Sequence, residues 1–463
     1  MKKLFSVVLL LYCFSLFSQT NDLEERINKL EETLLNQSKT IQEQQKIIDE
    51  LKSEIEAMKL VEESVKKEIP PIQEKEEFTL KPGALFGSST LMNPNISVVV
   101  DTSAYTSNLT KEELEHRYLL GFLPSPHNHE EDRLEHGHLD EEEGYGKGFH
   151  FNYAELYLYA PVDPYFNLYT VIPFSEDGSE VEEAYFVTTS LPYGFQIKGG
   201  KFKSGIGRLN SQHAHNWDFY DAPLPYTAFL GGEGMSDKGA SVNYLPSLPF
   251  YLNLGAEIFQ GENEILFGKE AKNGPHAYSL YAKTSFDFGS HSTILTGISI
   301  LKGNTYTQIG EDSYFDGKSS LYDFEFTYKW KKSKYKGFTL QSEYLCRKQK
   351  GSLDNENLSD SLRRVQDGFY IQALYLFGNG RWRVGTRYDR LNLFKDSYKL
   401  NDEDIYFGKD PYRLSAMVEY NPTEFTRIRL QYNHDKSYRV QKTNKEFVLQ
   451  FIFGIGAHAA HAF

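Results

Sequence analysis

Beyond its first 18 positions the sequence lacks any unbroken apolar run of the about 18 residues that a membrane-spanning helix requires. A helical membrane protein is thereby excluded. Cysteine is nearly absent: Cys13 lies in the leader expected to be removed and leaves Cys346 alone, so no intrachain disulfide can form. Tyr12 ahead of Cys13 does not suit a lipoprotein site. No G-x-S-x-G elbow, H-E-x-x-H pair or phosphate-cradling glycine loop occurs, so an enzyme is not expected. Basic residues are outnumbered, 50 to 64, and the formal charge of −14 argues against a nucleic-acid partner. Residues 21–68 contain neither proline nor glycine.

What is present begins with Lys2 and Lys3, a mostly apolar run to Phe17, and Ser18 as a small residue for cleavage. This is the pattern of a secretory signal peptide, residues 1–18. In 19–68, Ile27, Leu34, Ile41, Ile48 and Ile55 fall at heptad position a, with Glu62 the exception. Leu23, Leu30, Leu51, Met58 and Val65 fall at d, with Gln37 and Gln44 interrupting the seam. The repeat predicts a self-associating coiled coil in the periplasm, ended by Pro70 and Pro71. A tether helical only in part is the alternative. Residues 69–77 read as a linker.

From residue 78 the apolar period changes to two. Aromatics make up 15% of the chain, with 32 Tyr and 33 Phe, yet mean hydropathy is negative. A membrane barrel combines these properties, because alternate residues face lipid and water and aromatic girdles mark both interfaces. Alternating runs lie near 94–104, 149–160, 165–174, 181–190, 195–202, 238–245, 250–260 and 276–288. Eight more lie near 292–302, 317–330, 336–347, 366–376, 381–391, 410–420, 424–433 and 445–453. Every second connection is short, and the intervening ones are longer, notably 106–148, 204–236, 261–275, 303–316, 348–364, 392–409 and 434–444, with only 175–180 brief among them. The expected fold is therefore all-β: a 16-stranded antiparallel transmembrane β-barrel over 78–463, preceded by an α-helical coiled coil. Both termini then lie in the periplasm, and the barrel sits in the lipid of the bacterial cell outer membrane.

Strand parity sets Trp382, Val384 and Tyr388 on one face and Arg381, Arg383 and Arg387 on the other. Arg413, Arg427 and Arg429 alternate in the same way with apolar neighbours. A charge on the lipid face costs about 2–4 kcal/mol at mid-membrane, so these six arginines are expected to line the pore. They would attract anions, or pair with lumen acids such as Glu343 and Glu419.

Signal, coiled coil and 16-stranded barrel together resemble the bacterial outer-membrane porins of the phosphate-selective type, which implies a homotrimer. The segment GKFKSGIGRLNSQHAHNWDFYDAPLPYTAFLGGEG and the tail GAHAAHAF are similar to a His-rich, zinc-regulated porin-like subgroup. A plugged receptor barrel of about 22 strands fits the chain poorly.

Six of the 13 histidines fall between His116 and His150. Among them His127, His129, His136 and His138 stand in an acidic loop whose imidazoles and carboxylates suit zinc or a similar ion. A disordered acidic loop is the plainer explanation. The third external loop, 204–236, is the one that in general porins folds inward, and its aromatics and prolines suggest a folded element packed in the lumen. Its His213, His215, Asp218 and Asp221 could bind metal on a permeation path or simply tie the loop to the wall. His458 and His461 stand near Phe463, whose role would be barrel assembly. The expected function is a porin-like channel for small solutes that facilitates passage of transient Zn2+ or another divalent metal ion. An anion-selective or phosphate-selective porin and a non-conducting metal-binding surface anchor are the alternatives.

Overall fold

The computed structural model describes residues 94–115, 117, 119, 121–122, 146–268, 271–308, 313–354, 359–438 and 442–456. The chain divides into Met1–Lys81 and Pro82–Phe463. The first unit, with the expected signal peptide, coiled coil and linker, lies outside the described residues. So do His127, His129, His136, His138, His458 and His461.

The second unit is a closed antiparallel barrel of 16 strands. The first eight strands are β1 (Asn95–Ser107), β2 (Gly148–Pro161), β3 (Phe166–Phe174), β4 (Glu183–Thr188), β5 (Phe195–Lys203), β6 (Ser236–Tyr244), β7 (Tyr251–Phe259) and β8 (Ala277–Phe288). Then follow β9 (Ser292–Gln308), β10 (Tyr314–Ser333), β11 (Lys336–Asp354), β12 (Ser359–Phe377) and β13 (Trp382–Leu400). A two-residue strand β14 (Glu403–Asp404) pairs only with the outer end of β13 and is not part of the wall. The ring continues through β15 (Tyr412–Thr423), β16 (Thr426–Asp435) and β17 (Asn444–Gly456). Each wall strand pairs with its sequence neighbour, β13 pairs directly with β15, and β1 closes the ring on β17.

All 16 expected strands are present, but β9 to β13 run further than the alternation suggested. They hold 17, 20, 19, 19 and 19 residues, where about 9–11 cross a bilayer. The stretches 303–316 and 348–364, expected as loops, are therefore largely paired strand in their described residues, and 392–409 is paired over 396–400 and 403–404. Polar, charged and glycine residues there hid the continuation, since both faces of a strand outside lipid are free to be polar.

Burial follows the pleat. Phe324, Ile371, Leu414, Val418, Leu430 and Phe453 are exposed on the outer face, as the lipid-facing band of a membrane barrel requires. The inward face carries most of the wall's buried charged and polar side chains together with an apolar patch, and a loop that enters the barrel buries much of it. The side-chain period of two thus produces both surfaces from one strand set.

Candidate functional site: a loop strapped across the barrel

The connection between β5 and β6, residues 204–235, folds inward. It begins with three backbone donors aimed at wall carboxylates. Gly205 N–H donates to Glu257 at 2.9 Å, and Arg208 and Leu209 N–H donate to Glu343 at 2.8 and 3.1 Å. A short helix α1 (Leu224–Leu230) lies further along, every residue of it buried. Pro225 suits its first turn, where no backbone donor is needed, and Gly231 at φ +87° ends it. Phe229, Leu230, Ile206, Leu209 and Trp217 pack with Phe202, Phe259, Leu301, Leu345 and Tyr370 of the wall. Leu119 and Phe122 from the first loop and Leu266 and Phe267 from the fourth join the same core. An apolar core inside a polar barrel ties three loops together.

The four loop residues singled out from sequence separate into two pairs. His213 and His215 turn toward β2 and the approach to β4. His213 Nδ1 lies 3.0 Å from Glu182 Oε2 and 3.7 Å from Glu155 Oε2, and its Nε2 lies 2.9 Å from Glu183 Oε2. His215 Nδ1 is 3.3 Å from Glu155 Oε2, and the two rings stack at 5.9 Å. Lys203 Nζ meets Glu182 at 2.8 Å. Burial alone would depress the His213 pKa, but Glu182 and Glu155 reverse that and hold it well above its ordinary value.

The aspartates turn the other way. Asp218 pairs with Arg383 and accepts from Gln372 at 2.9 Å. Asp221 accepts from Arg387 at 3.0 Å and Arg413 at 2.7 Å, with Gln431 at 2.6 Å. Burial would raise the Asp221 carboxyl; the two guanidinium groups outweigh it and hold the group below the ordinary carboxylate range. Arg387 and Arg413 also share Asp389. Arg429 is buried on Glu419 at 2.9 Å and donates to Trp217 O at 2.8 Å, and Arg427 donates to His215 O at 2.7 Å. Arg381 is exposed in the turn before β13 and stands apart from this wall.

The loop is thus a strap with imidazoles bonded to acids on one side and carboxylates bonded to arginines on the other. At its level most wall side chains are buried. Arg208, Asp218, Lys329, Arg383 and Arg427, with Asp221 and Glu182, keep partial exposure and mark where solvent reaches the strap.

The geometry of Glu155, Glu182 and His213 suits a metal ion. One donor atom from each lies within 4.8 Å of the others. The 3.0 Å between His213 Nδ1 and Glu182 is close to the about 3.3 Å separating two ligands of a tetrahedral ion with bonds of about 2.0–2.1 Å. Glu183 on Nε2 is the outer carboxylate that commonly fixes a ligating imidazole. Sequence alone did not single out Glu155, Glu182 or Glu183. The inward parity of Glu155 and Glu183 was a signal, but nothing local joined them to a histidine 30 or more positions away.

No family model matches the chain. A protein of Aquifex aeolicus (strain VF5) described as uncharacterized is 44% identical over 392 residues, 80% of each chain. Among solved structures, the outer membrane channel DcaP of Acinetobacter baumannii is 10% identical, with a TM-score of 0.48, over 80% of this chain and 99% of that one. An anion-selective porin from Comamonas acidovorans is 8% identical, with a TM-score of 0.46, over 78% and 99%. OmpT of Vibrio cholerae lacking its loop L8 is 11% identical, with a TM-score of 0.47, over 79% and 100%. At 44% identity across four-fifths of both sequences, this chain belongs to the family of the Aquifex aeolicus protein.

Proposed function

We propose that the protein is a porin-like channel of the outer membrane in which the strap formed by residues 204–235 governs passage of small solutes and binds a divalent metal ion. The closed barrel with an apolar exterior supports residence in outer-membrane lipid. The observation that carries the metal reading is His213 held between Glu155 and Glu182 on one side and Glu183 on the other. Three carboxylates there face Lys203 and two imidazoles. A proton on His213 or a divalent ion beside its neutral ring each offset that negative charge, so proton and metal compete for one place. Zinc, which accepts nitrogen and oxygen donors together, is the best match. His127, His129, His136 and His138 enter the proposal through sequence alone, as a collector outside the barrel.

A second reading rests on the partly exposed groups at the strap. Arg208, Lys329, Arg383 and Arg427 keep partial exposure there alongside Asp218 and Asp221, a basic group that supports passage of anions, phosphate among them. A homotrimer is proposed from the porin resemblance.

Bilayer recording of the purified full chain tests both readings. Current altered by added zinc and restored by a chelator, with the response lost in His213→Ala, supports the metal strap. Anion selectivity indifferent to zinc supports the second reading and sinks the first. Absence of conductance would leave the barrel as an anchor.

A further inference from the structure

A second acidic cluster lies across the barrel from His213, on β10 and β11. Strand alternation puts Asp323 and Glu325 on the same inward face of β10. Register places Glu343 of β11 directly opposite Glu325. Like charges facing each other across a ladder are destabilising, and here all three are buried: Asp323 is 5% exposed, Glu325 and Glu343 0%. Their donor oxygens lie within 4.8 Å of one another.

The three carboxylates are unequally compensated. Glu343 accepts from Arg208 N, Leu209 N, Tyr226 Oη at 2.7 Å and Tyr370 Oη, so both of its oxygens are engaged. Lys283 contacts Glu325 at 3.4 Å but donates chiefly to Gly207 O, at 2.5 Å. Neither oxygen of Asp323, nor Oε1 of Glu325, has a hydrogen-bond partner among the described residues. An orphaned carboxylate at this depth is costly. The space beside these oxygens is kept by two glycines. A Cβ on Gly297 would stand 2.5 Å from Glu325 Oε1, and one on Gly207 would stand 2.4 Å from Glu343 Oε2 and 3.4 Å from Asp323 Oδ2.

The geometry points to a binding site for a hard divalent cation at the root of the strap, ligated by Asp323 and Glu325 and closed by Glu343. Its donors are all oxygen, which selects calcium, magnesium or manganese over zinc. Calcium fits best, because it tolerates irregular sets of carboxylates at about 2.3–2.6 Å. An ion there compensates the carboxylates and, through Glu343, ties Arg208 and Leu209 of the strap to β10 and β11. The site uses none of the residues of the His213 cluster, and its success or failure is independent of the zinc reading.

The test uses the refolded full chain in detergent, stripped with chelator, with Mn2+ as a paramagnetic probe and Ca2+ as competitor. Wild type is expected to bind one Mn2+ displaced by Ca2+, and to melt at higher temperature with Ca2+ than in chelator. Asp323→Asn and Glu325→Gln should lose both responses, while His213→Ala keeps them. Circular dichroism and heat-modifiable gel mobility establish that each variant is folded; Glu325→Gln stands in if Asp323→Asn is not. Wild type indifferent to both ions, or Mn2+ binding unchanged in both folded variants, would overturn the assignment in favour of carboxyls that share protons.

Discussion

Arg413 Nη1 lies 2.7 Å from Asp221 Oδ2, joining a residue of the strap to the wall 192 positions further on. The guanidinium is 5% and the carboxylate 14% exposed, and Arg387 approaches the other oxygen. Removing one partner of a buried pair leaves an uncompensated charge, a loss of about 3–5 kcal/mol. Asp221→Asn should therefore destabilise the barrel by an amount in that range, measured by denaturant unfolding in detergent. Asp218→Asn touches a pair whose acid is 25% exposed, and should cost clearly less. Equal losses at the two positions would contradict the view that burial decides what each bond is worth.

The imidazole side of the strap responds to pH with a definite sign. The His213 pKa is raised well above 6.5 in the folded chain, so its contribution to stability is complete below about pH 6.5. It is lost as pH rises through the raised folded value. Zinc needs a free Nδ1 and gains affinity over the same rise. Protease cleavage within 204–235 should increase at alkaline pH in chelator and be suppressed there by zinc. His213→Gln should flatten the pH dependence. Cleavage that grows on acidification instead would mean that the imidazolium does not hold the strap.

The barrel was legible because the pleat writes itself into sequence at every second residue, and lipid forbids exceptions. Arg383, Arg387, Arg413, Arg427 and Arg429 alternate with apolar residues for that reason, and their inward faces could be read directly. Arg381, one residue outside β13, shares their parity without sharing their strand. The strap was legible as a long third loop whose aromatics and prolines point to a folded element packed in the lumen, and the buried core it forms with the wall agrees. Its partners were not, because a barrel brings Glu155, Glu183, Glu343 and Asp389 to one loop from four distant strands. Parity told which way each acid points, and closure of the ring decided what it meets.

The core inside the barrel offers a packing test. Phe229 is 0% exposed, contacts Phe122 at a ring-centroid distance of 5.9 Å and lies 5.0 Å from the Arg347 guanidinium carbon. Phe229→Ala should cost about 3–5 kcal/mol, read as a lower unfolding midpoint. Phe394, 72% exposed, serves as the control and should change the midpoint little when truncated. A small effect at Phe229 would mean that the three loops are held by their polar bonds alone.

The strap is anchored where it leaves β5, and Gly207 is the residue on which that anchor depends. Its φ is +62°, a left-handed conformation that costs a residue with a side chain about 1–2 kcal/mol. A methyl there would also stand 2.5 Å from Tyr226 Oη and 2.4 Å from Glu343 Oε2. Neither neighbour can yield without breaking the 2.7 Å bond that joins them or the bonds from Arg208 and Leu209. Gly207→Ala should therefore release the root of the strap while the 16-stranded wall remains paired. The expected result is native circular dichroism and heat-modifiable mobility, together with faster proteolysis within 204–235 and altered single-channel conductance. Unchanged conductance with an intact strap would show that the root adapts, and that the hold on the loop comes from Asp221 and His213 further along.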